Sequence, residues 1–261
     1  MGEEGTVLYE RRGGAAWLSI NRPEARNAIN VAVMRDLLAG LARAKSDGEV
    51  RVVVLTGVGE KAFCAGGDLG GFAGGESRVE QHLMRGELVE LIRAMQAAGK
   101  PIVARVNGHA LAGGFGLMLA CDLVVASSKA TFGMTEVNVG LWPFIISAVV
   151  ARNLPQKVAL ELMLTGKRVS AEELARWGVL SRVVPPEELD AATQSLVDEL
   201  ASKSPLIVKL GKDSFYAGRD MGMEEALRYL HGQLAVCLES EDTQEGVMAF
   251  IEKRAPVWKG R

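Results

Sequence analysis

The sequence predicts an α/β fold that ends in an all-helical region, and three observations carry that prediction. Apolar strand patterns alternate with helical periodicities over the first two thirds of the 261 residues. Two strand-like runs, 51–56 and 102–106, each break at glycine and are followed by a loop with adjacent glycines, Gly66-Gly67 and Gly113-Gly114. From Glu187 onward only helical patterns remain, and a composition shift near residue 200 separates a core over 1–200 from a helical region over 201–261.

In chain order, residues 6–9 and 16–20 alternate apolar and polar side chains around Arg11-Arg12-Gly13-Gly14, which predicts a hairpin. Asn30 caps a helix whose Val33, Leu37, Leu38 and Leu41 fall at helical spacing, and Ser46-Asp47-Gly48 ends it. After the strand at 51–56, Gly70 to Gly75 holds four glycines in six residues and reads as a mobile loop. Ser77 and Glu80 form a capping box opening a long helix to about Ala98, with Leu83, Leu88, Leu91, Ile92 and Met95 on its apolar positions. Pro101 starts the strand 102–106, Asn107-Gly108 turns the chain, 115–120 suits a buried helix and 122–126 a second interior strand. A short strand at 129–133 precedes helices at 143–152 and 155–164. A second capping box, Ser170 with Glu173, leads to Trp177-Gly178, and the strand 182–184 is closed by Pro185-Pro186. Helices at 189–201, 205–217, 223–239 and 243–253 complete the chain.

Composition narrows the function. With 48% hydrophobic and 24% charged residues the chain buries a full core, as one large domain or two small ones. Thirty basic against 32 acidic residues, a net charge of −2, give no electrostatic case for nucleic acid or an anionic membrane. Three scattered cysteines at 64, 121 and 237 make neither a disulfide framework nor a Cys-x-x-Cys zinc site, which predicts a cytoplasmic protein. The start Met1-Gly2-Glu3-Glu4 is acidic where a signal peptide is basic, and no apolar run reaches the ~18 residues of a membrane span.

Several chemistries lack their residues. Gly108-x-x-x-x-Gly113 runs into Gly-Phe rather than Lys-Ser/Thr, and there is no Gly-x-Gly-x-x-Gly after a first strand, no Gly-x-Ser-x-Gly and no His-Glu-x-x-His. His82, His109 and His231 lie apart, and His109 is read as a packing or hydrogen-bonding residue. Asp68 and Asp122 are read as loop braces, and Cys64 has no adjacent base to make it a nucleophile. The two glycine loops leave two readings open from spacing alone. They are ordinary turns, or each gives one backbone N–H to the same oxygen. Arg22 and Arg26 likewise either solvate a face or meet a phosphate.

Four ordered motifs resemble a known family: Asn21-Arg22-Pro23-Glu24-Ala25-Arg26-Asn27-Ala28-Ile29, Phe63-Cys64-Ala65-Gly66-Gly67-Asp68-Leu69, the run from Lys100-Pro101 to Asp122, and Phe132-Gly133-Met134-Thr135-Glu136 through Leu141. Their order and spacing, over nearly the whole chain, are similar to the enoyl-CoA hydratase/isomerase or crotonase family. That resemblance implies a spiral of β-β-α units, with 1–200 as the acyl-CoA-binding core and 201–261 as a helical region for trimerisation. The expected assembly is a homotrimer or a hexamer made of two trimers. The substrate would be an acyl-CoA thioester, with no separate cofactor because coenzyme A is part of the substrate.

The same resemblance implies site roles. The N–H groups of Gly67 and Gly113 match an oxyanion hole, and Glu136 matches an acid/base glutamate. Arg22, Arg26, Ala28, Ala65, Asp68, Leu69, Gly116 and Trp142 would line the substrate site. The departure is at Gly116, where typical hydratases carry a second glutamate, and Leu141-Trp142-Pro143-Phe144 replaces a glycine-rich run. One carboxylate suffices to move a proton from C2 to C4 of a 3-enoyl thioester. Isomerisation is therefore expected ahead of hydration, with thioester decarboxylation or a non-catalytic acyl-CoA-binding role as alternatives.

Overall fold

The structure, a computed structural model, describes residues 5–68, 70 and 77–261. Leu69, predicted to line the substrate site, and residues 71–76, most of the loop predicted to be mobile, lie outside the described residues.

Strands β1 (Val7–Arg12) and β2 (Ala15–Ile20) form the expected hairpin, followed by helix α1 (Val31–Ser46). Next come β3 (Val52–Gly57), β4 (Ala62–Cys64) and α2 (Arg78–Gln96), then β5 (Ile102–Val106), β6 (His109–Leu111) and α3 (Gly113–Leu119). A third set follows: β7 (Leu123–Ser127), β8 (Thr131–Gly133) and α4 (Phe144–Asn153). The pattern is β-β-α three times over. In each unit the first strand joins a six-stranded sheet and the second a four-stranded one.

The large sheet has the order β1-β2-β3-β5-β7-β10, where β10 is Arg182–Val184. It is parallel beyond the opening hairpin. The small sheet runs β4-β6-β8-β9, with β9 (Arg168–Ser170) antiparallel at its edge. All six residues of β3 are buried, as a parallel strand covered on both faces requires. Alternation divides them. Val53 and Leu55 pack with Leu37, Leu41, Leu91 and Met95 of α1 and α2, whereas Val52 and Val54 face Leu189, Leu196 and Val197 of α7 (Leu189–Ala201).

The caps read from sequence are present. Asn30 Oδ1 accepts from Val33 N, and both capping boxes, Ser77 with Glu80 and Ser170 with Glu173, close in both directions. Three elements were not legible. Strands β4, β6 and β9 have three residues each, as do β8 and β10, but the first three adjoin glycine loops or a capping box that masked them, and they exist because neighbouring strands supply their ladder.

Helices α5 (Gln156–Thr165) and α6 (Ala171–Arg176) follow α4, and the chain ends in α8 (Pro205–Gly218), α9 (Met223–Leu238) and α10 (Glu241–Glu252). The joint between core and tail is polar. Asp122, at the start of the strand β7 turn, accepts from Ile102 N at 2.7 Å, Lys212 Nζ at 2.7 Å and Tyr216 Oη at 2.8 Å. Lys212 also donates to the carbonyls of Met95 and Lys100, so one α8 side chain ties α2, β5 and β7 together. That is the loop-bracing role the sequence assigned to Asp122.

Among the described residues no helix is long and apolar enough to cross a membrane.

Candidate active site

The two glycine loops meet at the C-terminal ends of β4 and β6. These strands are paired in parallel, with Cys64 opposite Ala110, so the segments leaving them, Ala65-Gly66-Gly67 and Ala112-Gly113, emerge side by side. A methyl group at Gly113 would stand 3.6 Å from the Gly67 nitrogen, and one at Gly66 would stand 3.5 Å from the Gly113 nitrogen.

Local hydrogen bonds decide which way these amides point. Ile29 bridges the first loop, donating to Gly66 O at 2.7 Å and accepting from Asp68 N at 2.8 Å. That parallel bridge turns the intervening Gly67 N–H away from Ile29, and the residue is open on its side-chain face as well, where a Cβ would meet nothing within 4 Å. In the second loop Ala112 N donates to Gly133 O, and Ala112 O accepts from Phe115 and Gly116. The Gly67 and Gly113 N–H groups therefore have no acceptor among the described residues.

The turn that aims Gly113 is strained. Ala112 has φ 49° and ψ −128°, a conformation that favours glycine. Behind it α3 packs directly on β4: a Cβ at Gly114 would overlap the Cys64 carbonyl oxygen and lie 2.8 Å from Cys64 Cβ, so only glycine lets the helix come this close.

The loop 21–28 wraps the first glycine segment. Asn27 is buried in a left-handed conformation (φ 56°), accepts from Arg22 N and donates to the carbonyls of Val58 and Ala62. The Arg22 guanidinium donates to Ala28 O at 2.8 Å and to Asp68 Oδ2 at 2.7 Å, and this pairing holds the Asp68 carboxyl below the usual carboxylate range. Both residues are thereby engaged in bracing the loop. The Arg26 side chain is exposed and has no partner among the described residues, while Ala65 N donates to Arg26 O.

Glu136 opens a 3₁₀ turn, Glu136–Val139, three residues past the β8 end that accepts the Ala112 bond. The β6–β8 pairing, Leu111 opposite Gly133, delivers it to the same edge as the glycine loops. Its Oε2 is buried with no hydrogen-bond partner among the described residues, and burial raises the carboxyl above its ordinary value.

Gly116 is inside. A Cβ there would lie 2.5 Å from Ile146 Cβ and still closer to Ile146 Cγ2, so α4 fills the space beside α3 where a side chain at 116 would stand. Trp142 is half-buried against the core and Phe144 projects into solvent, 78% exposed.

The remaining candidates behave as read. His109 sits at the far end of β6 from Gly113, its Nδ1 2.7 Å from Thr131 Oγ1. Burial and the nearby arginines 168 and 26 lower its pKa. Cys64 is fully enclosed and burial pushes its thiol up to about 12, which removes it as a nucleophile at neutral pH. Asn27, Ala112 and Ile146 shape the site without having been singled out. Only Asn27 carried a signal, since Asn tolerates the left-handed conformation that a tight polar loop needs.

Comparison with known proteins agrees with this geometry. The family profile described as enoyl-CoA hydratase/isomerase matches residues 10–261. An (E)-benzylidenesuccinyl-CoA hydratase of Thauera aromatica is 39% identical over 97% of this chain and 99% of its own length. A carnitinyl-CoA dehydratase of Proteus mirabilis is 34% identical over 96% of this chain and 97% of its own. The crystal structure of an enoyl-CoA hydratase from Mycobacterium smegmatis superposes with a TM-score of 0.93 at 35% identity, covering 98% of this chain and 99% of that one. From sequence and fold together, this chain belongs to the enoyl-CoA hydratase/isomerase family, whose members act on acyl-CoA thioesters.

Proposed function

We propose that the protein forms an enolate from an enoyl-CoA thioester, held by the Gly67 and Gly113 N–H groups, with Glu136 as the one acid/base, and that double-bond isomerisation is its favoured reaction. The carrying observation is one carboxylate, Glu136, whose buried Oε2 has no partner among the described residues, at the edge where two free amides converge, with Ile146 in the place of a second. Ionised Glu136 takes a proton from C2 of a 3-enoyl thioester, and the C–H electrons move onto the thioester oxygen. Amides placed where that charge develops contribute about 3 kcal/mol each in comparable sites. Return of the proton to C4 as the enolate collapses gives the 2-enoyl product, and the carboxylate is regenerated. A carboxyl raised by burial suits both halves of this transfer.

Arg26, exposed and with its side chain unpaired among the described residues, is the arginine we assign to a CoA phosphate, with Arg22 and Asp68 holding the loop that presents it. Helix α9 buries none of its residues, and Leu227, Leu230, Leu234 and Leu238 stand 41–60% exposed along one stripe. We assign that stripe to contacts within a trimer.

Hydration is the second reading, favoured by the names of the relatives, a hydratase and a dehydratase of CoA thioesters. The test is incubation with 3-enoyl-, 2-enoyl- and malonyl-type CoA thioesters, with products identified by mass and NMR. Conversion of 3-enoyl to 2-enoyl thioester faster than 3-hydroxyacyl product appears supports isomerisation. Hydroxyacyl product as the first and faster one replaces it with hydration, and loss of CO2 from the malonyl-type substrate alone replaces both.

A further inference from the structure

A second concavity lies at the opposite end of the large sheet. The glycine loops follow the C-terminal ends of the small-sheet strands β4 and β6, whereas this cavity of about 450 Å³ opens at the N-terminal ends of the large-sheet strands that precede them, beside Arg51 before β3 and Lys100-Pro101 before β5. The strands between them span about 15–20 Å at ~3.3 Å per residue. Its volume falls within the ~300–1,000 Å³ of small-ligand sites.

Its charge is one-sided. Six cationic residues line it, Lys45, Arg51, Lys100, Lys203, Lys209 and Lys259, and no aspartate or glutamate does. Two of them have carboxylates from outside the lining, Lys209 with Asp213 and Lys259 with Glu241. Lys45 and Lys100 donate to backbone carbonyls, of Ala97 and of Ala44 and Asp47, which leaves their charge uncancelled apart from the more distant Asp47 carboxylate. The side chains of Arg51 and Lys203 have neither an ion pair nor a hydrogen bond among the described residues. Partial burial lowers the Lys100 pKa, Asp47 acts against that and the neighbouring Arg51 adds to it, so the cavity holds like charges at a cost. Apart from Ser46 and three glycines the rest of the wall is apolar, with Val50, Pro101, Leu200, Pro205, Leu206 and Val208 the larger side chains.

We propose that this cavity is a binding site for a phosphorylated organic anion of nucleoside-diphosphate size, separate from the thioester site. The phosphates neutralise Arg51, Lys203 and Lys100, and the apolar wall takes the organic body. Neither requirement is met by the residues of the glycine loops, so the assignment does not depend on the reaction performed there.

The test is calorimetric titration of the full chain with ADP, inorganic pyrophosphate and adenosine, each with saturating CoA present to fill the thioester site. The expected result is ADP binding that persists under CoA, is tighter than pyrophosphate and adenosine, and weakens with added salt. Arg51→Ala with Lys203→Ala should weaken ADP at least tenfold while the affinity for CoA and the turnover of acyl-CoA stay unchanged. Lys203→Ala alone, at an exposed position without a partner, should still weaken it several-fold if the double variant folds poorly. ADP binding abolished by CoA, pyrophosphate binding as tightly as ADP, or an ADP affinity indifferent to both variants would each overturn the proposal.

Discussion

Glu136 and Asp122 are carboxylates at opposite ends of the core, and they are treated in opposite ways. Asp122 is surrounded: a backbone N–H, an ammonium and a phenol all donate to it, and its Lys212 partner is 7% exposed. Glu136 has a buried oxygen with no donor among the described residues, in a turn whose other end carries the exposed Val139. A buried polar atom without a partner costs stability, and although Tyr9 Oη, Trp17 Nε1, Glu87 Oε2 and Asn107 Oδ1 share that state, Glu136 Oε2 is the one that lies on the edge of the glycine loops. The satisfied carboxylate builds the fold, and the unsatisfied one is available for chemistry.

Breaking the comparison at its structural end should have the largest effect. Asp122→Ala strands the Lys212 ammonium and removes the acceptor for Tyr216 and Ile102. We expect a loss of about 3 kcal/mol or more in denaturant unfolding, the scale for removing one partner of a buried pair. Protein that remains folded should keep its turnover, and a loss of activity without a loss of stability would reverse the roles assigned to the two carboxylates.

At the other end, Glu136→Gln should lower kcat at least about a hundredfold, the scale of a lost general acid/base, with CoA affinity nearly unchanged. Its pH behaviour separates this from damage to packing. Burial raises the Glu136 carboxyl above 4.5, so in the window above that value the folded state holds a proton the unfolded chain has released. Stability contributed there falls as pH rises from about 4.5 through the raised value, and Glu136→Gln should remove that fall. In the unsubstituted protein, kcat/KM should drop as pH falls below the same raised value, because the base must be ionised. A stability-versus-pH curve identical in the two proteins would show that Glu136 is not the shifted group.

Gly116→Glu sharpens the comparison by asking whether a second carboxylate fits. Because Ile146 occupies that space, we expect destabilisation of about 1–3 kcal/mol, the range for overpacking, and no gain in hydration. Combining it with Ile146→Ala should recover part of the loss, a non-additivity that marks direct contact. A stable Gly116→Glu protein with hydratase activity would mean that α4 yields more readily than its packing suggests.

The smallest effect belongs to the arginines. Arg26→Ala should weaken CoA binding several-fold at low salt and less at high salt, as for an exposed charge. Arg22→Ala should instead reduce stability, through the loss of its bonds to Ala28 and Asp68. If the two variants exchange these signatures, the phosphate contact belongs to Arg22.

Much of this arrangement was legible along the chain. Asn30, Ser77 and Ser170 announced their helices because a cap is a local hydrogen bond between residues three apart, and the α7 bounds were read without error. The motifs around Gly67, Gly113 and Glu136 pointed to one family, and that family is the one shown by comparison. What lay beyond reach depended on partners distant in sequence. Strands of three residues, such as β6, take their identity from the neighbours they pair with, and the αL turn at Asn27 is pinned by carbonyls more than 30 residues away.

The sequence by itself determined the alternation of strand and helix, the caps, the glycine loops and the absence of a carboxylate at 116, since each is a property of residue type or short-range spacing. Only the tertiary structure decided that the Ile29 bridge turns the Gly67 amide outward, that Ile146 closes the space beside Gly116, that Arg22 is engaged by Asp68 while Arg26 is not, and that six cations converge on one cavity. The physical reason is the same in each case: whether a polar group is satisfied, and whether a space is filled, depends on atoms that folding brings from other parts of the chain.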